Sequence, residues 1–181
     1  MENNTCFIAK IGNFQPIEGA DKIESASIIL NDVPITRVVI GKGEHNEGDL
    51  VVYFDSNLCL SDEFILYIDK QHKDYGKENF TSVSRYLARG NRIKTVKLKG
   101  TISDGLVISP EKFENLLDSK TKKLFDEGFS FNDLGDMHIC HKYVAPVKQQ
   151  PTTGSKKDRK KRKLISRVIP EMFKFHCDTA Q

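Results

Sequence analysis

The sequence predicts a mainly β protein with minor α content, built as a small barrel or sandwich. Three observations predict it. Short apolar or β-branched runs recur at close spacing, at Ile23–Leu30, Ile35–Ile40 and Leu50–Phe54. Glycine-containing or Asn-Asp turn signals separate them. Helical spacing is sustained in only one later stretch, after Ser109.

In chain order, residues 5–11 (TCFIAKI) form the first expected strand. Phe14 to Lys22, with Pro16 and Gly19, reads as a loop ending in a turn. Ile23–Leu30 is the second strand, with Ile28-Ile29-Leu30 as its buried run. Asn31-Asp32-Val33-Pro34 signals a turn, and Ile35–Ile40 resumes as strand. Gly41-Lys42-Gly43-Glu44 and Glu47-Gly48-Asp49 bracket a loop before Leu50–Phe54.

Asp55 to Arg85 breaks this rhythm and reads as a long insertion between strands. Ser61 is placed to cap a helical turn over Phe64–Ile68. Asp69 to Ser84 is polar and aperiodic. In Ile93–Leu98 the apolar register slips by one residue, which predicts a bulge near Lys94-Thr95. Leu106-Val107-Ile108 is the next strand. Ser109-Pro110-Glu111 opens a helix, carried on by Phe113, Leu116 and Leu117 and stopped by Gly128. Phe129–His141 reads as irregular, with Asp133-Leu134-Gly135-Asp136 as a turn. The main domain is therefore placed at residues 1–146, a basic linker at 147–163 and a short apolar segment at 164–181.

Composition bounds the function. The chain has 181 residues and a 38% hydrophobic share, enough for a core. No apolar run approaches the ~20 residues of a membrane helix, and no secretory leader is expected. Net charge is +3, unevenly spread: residues 156–181 hold nine Lys and Arg against three acids, a net +6, which leaves −3 for the rest. Cys6, Cys59, Cys140 and Cys177 form no Cys-x-x-Cys pair, so buried free thiols in a reducing cytoplasm are expected, a host's cytoplasm for a viral source.

The charge pattern that points to a ligand lies at Arg85, Arg89, Arg92, Lys94, Lys97 and Lys99, uninterrupted by any acid. Apolar residues thread the run, so a strand that is cationic on one side and buried on the other is expected, a surface able to track phosphates. Tyr53, Phe54 and Tyr86 are candidate stacking partners for bases, with Phe54 the best suited of them to the core. Lys156, Lys157, Arg159, Lys160, Lys161, Arg162 and Lys163 form a second basic tract. It suits non-specific nucleic-acid attachment, a localisation signal or a soluble linker.

Other motifs are weaker. Lys97-Leu98-Lys99-Gly100 superficially fits the Lys-x-x-Gly core of nucleotidyltransferases, but Lys99 stands where an Asp or His is needed. His138-x-Cys140-His141, with His176-Cys177, lacks the spacing of a zinc site and reads as a strand with mixed side chains. Gly41-x-Gly43 completes no dinucleotide fingerprint, and no nucleophile elbow is present.

Several blocks together resemble a known family. They are Pro16–Glu24, Gly41–Glu44 with Glu47–Phe54, and Arg92–Gly100 with Ile102–Leu106. In their order and spacing they look like the N-terminal OB domain of ATP-dependent RNA ligases, over roughly residues 5–145. Ile169-Pro170-Glu171-Met172-Phe173-Lys174-Phe175-His176-Cys177-Asp178-Thr179 is similar to the segment leading into the catalytic domain of such ligases. The family's Lys-x-Asp-Gly or Lys-x-His-Gly motif would follow, and Gln181 precedes it.

The resemblance implies an OB-like Greek-key barrel that positions broken or nicked RNA, nicked duplex or tRNA-like, for sealing by a nucleotidyltransferase domain in cis or trans. Residues 164–181 become the lead-in to that domain. No catalytic residue, metal or cofactor is expected in this chain, with ATP and Mg²⁺ belonging to the catalytic domain. The expected nucleic-acid contacts are Lys42, Arg85, Arg89, Arg92, Lys94, Lys97 and Lys99, with Ser103 as a hydrogen-bond donor. The Ala-Asp-Lys-Ile and Lys-Gly-x-x-Ser-x-Gly blocks also resemble tRNA-binding modules appended to aminoacyl-tRNA synthetases, which would make the chain a pure binding module.

Overall fold

Four strands follow in quick succession: β1 (Cys6–Pro16), β2 (Ile23–Leu30), β3 (Val33–Gly41) and β4 (Leu50–Phe54). They belong to a computed structural model that describes residues 5–78 and 80–145. β1 outruns the expected strand and absorbs the start of the expected loop. It does so through an irregularity between Gly12 and Gln15, where Asn13 takes a φ of 55°. The Asn13 N–H is held there by the Glu47 carboxylate at 2.9 and 3.0 Å. The β2–β3 turn is as short as a hairpin allows: Leu30 pairs with Val33, and Asn31 and Asp32 both lie at positive φ.

β4 lies beside β1, not beside β3, which makes a Greek key. Beyond it come β5 (Leu58–Leu60), α1 (Asp62–Lys70), a 3-10 turn at Val83–Tyr86, β6 (Val96–Leu98), β7 (Thr101–Ser103) and β8 (Leu106–Ile108). β8 pairs antiparallel with β4, completing the order β3-β2-β1-β4-β8. The sheet then curls, so that the chain just before β8 comes against β3. The Asp104 N–H donates to the Arg37 carbonyl at 2.8 Å, and the Val39 N–H donates to Ser103 Oγ at 2.9 Å. The result is a mainly β fold built on a curled half-barrel sheet, in keeping with the small Greek-key barrel expected.

β1 and β4 are buried on both faces, which is why their sequences run apolar without strict alternation. Phe7, Ala9, Ile11, Val51 and Tyr53 face the concave side with Ala26, Ile28, Val38 and Ile40. Cys6, Ile8, Val52 and Phe54 face a second layer that includes Phe64, Phe113 and Ile139. Each fully buried Phe side chain is worth roughly 1.5–3 kcal/mol relative to exposure, so this outer layer stabilises the fold as the barrel interior does.

The expected cap forms: Ser61 Oγ accepts the Phe64 N–H at 3.0 Å, with Asp62 and Glu63 in the first turn of α1. The helix extends further than expected, and its buried Asp69 accepts the Val83 N–H at 3.0 Å, tying the insertion back onto α1.

The continuous helix expected after Ser109 does not form. Pro110–Leu116 is a 3-10 helix, and a separate α2 (Thr121–Leu124) follows. Lys112 O is taken by the Tyr67 hydroxyl at 3.1 Å and Gln71 Nε2 at 3.0 Å, while Asp118 Oδ1 accepts the Thr121 N–H at 2.6 Å and starts a new turn. The stretch read as irregular holds four short strands: β9 (Ser130–Phe131) on β1, a β10 (Asp133–Leu134)–β11 (Met137–His138) hairpin, and β12 (Cys140–Lys142) on β5.

Met1–Tyr143 make up this unit. The expected linker at 147–163 and the segment at 164–181 lie outside the described residues. Among the described residues no helix is long and apolar enough to cross a membrane.

Candidate nucleic-acid interface

The segment from Val83 to Gly105 folds as three small devices, each set by local chemistry. The first is the 3-10 turn Val83–Tyr86, started by Ser82 Oγ accepting the Ser84 N–H at 3.1 Å. It leaves Tyr86 66% exposed. The second is a tight loop closed by the Ala88 N–H donating to Arg92 O at 2.7 Å, with Gly90 and Asn91 at positive φ. Its base adds to β5: Leu60 N–H donates to Asn91 O and Ile93 N–H to Leu58 O. The third is the β6–β7 hairpin, where Leu98 pairs with Thr101 and the intervening Lys99 and Gly100 take φ values of 48° and 87°. Those are the dihedrals of a two-residue type I′ turn.

The strand expected from Ile93 to Leu98 therefore starts only at Val96. The register slip marks a break, with Ile93 buried against the outer layer and Leu98 40% exposed. Thr95 Oγ1 donates to Asp104 Oδ1 at 2.6 Å across that break, which occupies the nearest carboxylate.

Between the ends of β3 and β8, the hairpin and the Val83–Tyr86 turn lies a groove of about 570 Å³. Buried Val38, Ile40, Leu87 and Ile93 make its floor, and Arg85, Tyr86, Lys94 and Glu44 stand at its rim. Gly105 lets the chain pass over β4: a Cβ there would lie 2.5 Å from Phe54 O and from the Tyr53 ring.

Arg85, Lys94 and Ser103 are brought together as lining residues of this groove. Lys42 is exposed and follows Gly41, another lining residue. Lys97 and Lys99 are exposed on the hairpin, and Arg89 is exposed on the tight loop. Among the described residues none of these six cations is ion-paired. Arg92 is turned elsewhere, its guanidinium 4.1 Å from the centre of the Tyr143 ring and its Nε 3.4 Å from Ser56 O. Ser103 Oγ accepts the Val39 N–H and is almost fully buried, so part of its capacity serves the barrel seam.

Of the three aromatic candidates only Tyr86 is available. Phe54 is core, as expected of it. Tyr53 is also core, which corrects its place among the stacking residues. Burial raises its phenol pKa, and its hydroxyl donates to Asp104 O at 3.2 Å. β4 lies between β1 and β8 and is buried on both faces, which one strand's sequence does not reveal. Sequence reading gave no role to Glu44, although an acid three residues after Gly41 is spaced to bond that residue's N–H, as it does at 3.0 Å.

The decoy motifs have structural uses. Lys97-Leu98-Lys99-Gly100 is a hairpin arm and its turn. His138 and His141 stack at 5.6 Å, with His138 Nδ1 2.6 Å from Asp133. Among the described residues no group of three or more His, Cys, Asp or Glu side chains is arranged to hold a metal, and His176-Cys177 lie outside them. The tract at Lys156, Lys157, Arg159, Lys160, Lys161, Arg162 and Lys163 also lies outside them.

The fold is similar to that of the Naegleria gruberi RNA ligase. With the ligase solved with PPi, the identity is 26% and the TM-score 0.52, covering 81% of this chain and 37% of that one. With a mutant of the same ligase solved with ATP and Mn, the values are 26% and 0.52, covering 80% and 36%. The chain thus spans little more than a third of the length of these ligase structures. No curated protein matches the sequence. A family model described as an OB-fold domain matches residues 5–110, more than half of the chain. By that match, and by the curled sheet that carries the groove, the chain belongs to the OB-fold domain family.

Proposed function

We propose that this chain is the RNA-binding OB module of an ATP-dependent RNA ligase acting in RNA repair. In this reading it holds broken or nicked RNA while a nucleotidyltransferase domain, in cis or in trans, performs the sealing chemistry with ATP and Mg²⁺. Residues 1–146 form the binding module, 147–163 a basic linker and 164–181 the lead-in to that domain. The chain itself contributes positioning and no bond-making group.

The observation that carries the reading is a set of cations, free of ion pairs among the described residues, around one exposed aromatic ring. Arg85 and Lys94 flank the groove that Tyr86 borders, and Lys97 and Lys99 extend the positive surface along the hairpin. Cations that neutralise phosphates, with an aromatic face on which bases stack, form the general chemistry of single-strand binding. The similarity to the Naegleria gruberi RNA ligase supports the choice of RNA and of a nucleotidyltransferase partner. Buried Cys6, Cys59 and Cys140, all free, fit a reducing compartment, and the cytoplasm is the proposed site of action.

Filter binding of a labelled 12-mer RNA across a salt series tests the binding claim. Reversing Arg85 and Lys97 to Glu should weaken binding at least tenfold and flatten the salt dependence, by about 0.7 per lost phosphate contact on a single strand. Unchanged binding in the double variant would remove the basic surface from the account. A sealing assay with an added nucleotidyltransferase domain tests the second half. Sealing stimulated by the module supports the ligase role, whereas tRNA binding without stimulation supports the tRNA-binding alternative.

A further inference from the structure

Glu44 is an anomaly on a surface that otherwise attracts polyanions. It stands at the rim of the groove with Arg85 and Lys94, yet among the described residues it forms an ion pair with neither. Its carboxylate is folded back instead, with Oε2 accepting the Gly41 N–H at 3.0 Å. Gly41 makes room for this, since a Cβ there would collide with the Glu44 carboxylate. A carboxylate held in one place by the backbone repels phosphate, so phosphate is disfavoured beside Glu44.

The rest of the lining narrows the occupant. Leu98 and Leu106 offer apolar surface above buried Val38 and Ile40, Tyr86 offers a ring face, and Ser103 Oγ keeps a hydroxyl proton to donate after accepting the Val39 N–H. A flat apolar group with hydrogen-bonding edges suits such a lining, and a nucleobase is that group. The volume of about 570 Å³ has room for it. A carboxylate accepts from an exocyclic amino group such as N4 of cytosine, and it opposes the O4 acceptor that uracil carries at the same position.

We propose that the groove takes one unpaired nucleobase of single-stranded RNA, and that Glu44 selects a base bearing an exocyclic amino group, cytosine over uracil. This rests on the reading of the surrounding face as RNA-binding. The cations hold the flanking phosphates and Glu44 reads the base edge.

The test uses the full chain with two labelled probes, a 12-mer oligocytidylate and a 12-mer oligouridylate, which share one phosphate backbone. Oligocytidylate should bind about tenfold tighter, one decade of the discrimination typical of a good base-edge contact. Glu44→Gln, whose amide both donates and accepts, should bring the two probes to within about twofold of each other and bind oligouridylate more tightly than the parent does. Glu44→Ala should remove the preference as well, which separates loss of the carboxylate from any contact made by the new amide. Equal binding of the two probes by the parent chain, or a preference that survives in both variants, would overturn the inference while leaving RNA binding intact. Failure of the parent to bind either probe would overturn the RNA-binding reading and this inference with it.

Discussion

The guanidinium of Arg92 lies over the ring of Tyr143, 4.1 Å from its centre, and so joins the tight Ala88–Arg92 loop to the residue that follows β12. The backbone of Arg92 is bridged to Cys59 beside it, which gives this half-buried arginine a part in the frame. Arg92→Ala should therefore cost stability, about 0.5–2 kcal/mol for a cation–π contact of this kind. It should leave the salt slope of RNA binding unchanged. Paired urea melts and salt titrations on Arg92→Ala and Lys97→Ala measure this, and the two variants should show opposite profiles. A reduced slope in the Arg92 variant would return it to the phosphate-contacting set.

Tyr86 should behave in the converse way. Its ring is too exposed to contribute much to the fold, so Tyr86→Ala should leave the urea midpoint nearly unchanged, within roughly 0.5 kcal/mol. Single-stranded RNA should bind about tenfold more weakly, near the lower end of base–aromatic stacking. Tyr86→Phe keeps the ring face and should restore most of that affinity, which fluorescence anisotropy measures.

Two glycines at positive φ should respond differently to the same change. Gly100 turns the hairpin in open space, so Gly100→Ala should cost only backbone strain, about 1 kcal/mol. Gly105 has a φ of 93° and backs onto Phe54 and Tyr53, so Gly105→Ala adds a steric collision and should cost about 2 kcal/mol or more. Equal costs in denaturant melts would contradict the close approach at the seam.

The fold should lose a stabilising tie in acid. Glu127 is held below the usual carboxylate range by a hydrogen bond from Lys10 at 2.7 Å, and secondarily by the Asn31 N–H at 2.8 Å. A carboxyl whose folded pKa is depressed stabilises the protein above its unfolded pKa, and that contribution is lost as pH falls through the folded value. Glu127→Gln should thus lower the denaturation midpoint at pH 7, and the gap to the parent should close well below the ordinary Glu127 value of 4.5. A gap that persists at pH 3 would assign the effect to packing.

β2 and β4 were legible to the residue, because a run bounded by turn residues and paired to near neighbours is locally specified. β3 was nearly so, and the cap at Ser61 was readable for the same reason. What escaped reading depends on distant partners. Cys140 pairs with Leu60 and Phe131 with Cys6, ladders of two or three residues whose local sequence carries no strand period. The break after Pro110–Leu116 depends on Tyr67 and Gln71 bonding Lys112 O, groups some forty residues away. In the groove the cationic run was plain, but the diversion of Arg92 and the fixing of Glu44 follow from tertiary neighbours.

Phe54 and Leu106 are register partners on adjacent strands, so the chain leaves the sheet and rejoins it at neighbouring points. Closing such a loop becomes costlier only with the logarithm of its length. Residues 55–105 therefore form a cassette: its exposed turns can be lengthened, shortened or regrafted with little penalty to the sheet that anchors it, so long as Leu58, Leu60, Phe64 and Ile93 keep their places in the outer layer. Ligand preference and scaffold integrity can then diverge along separate evolutionary paths, provided Asp104 still reaches Arg37.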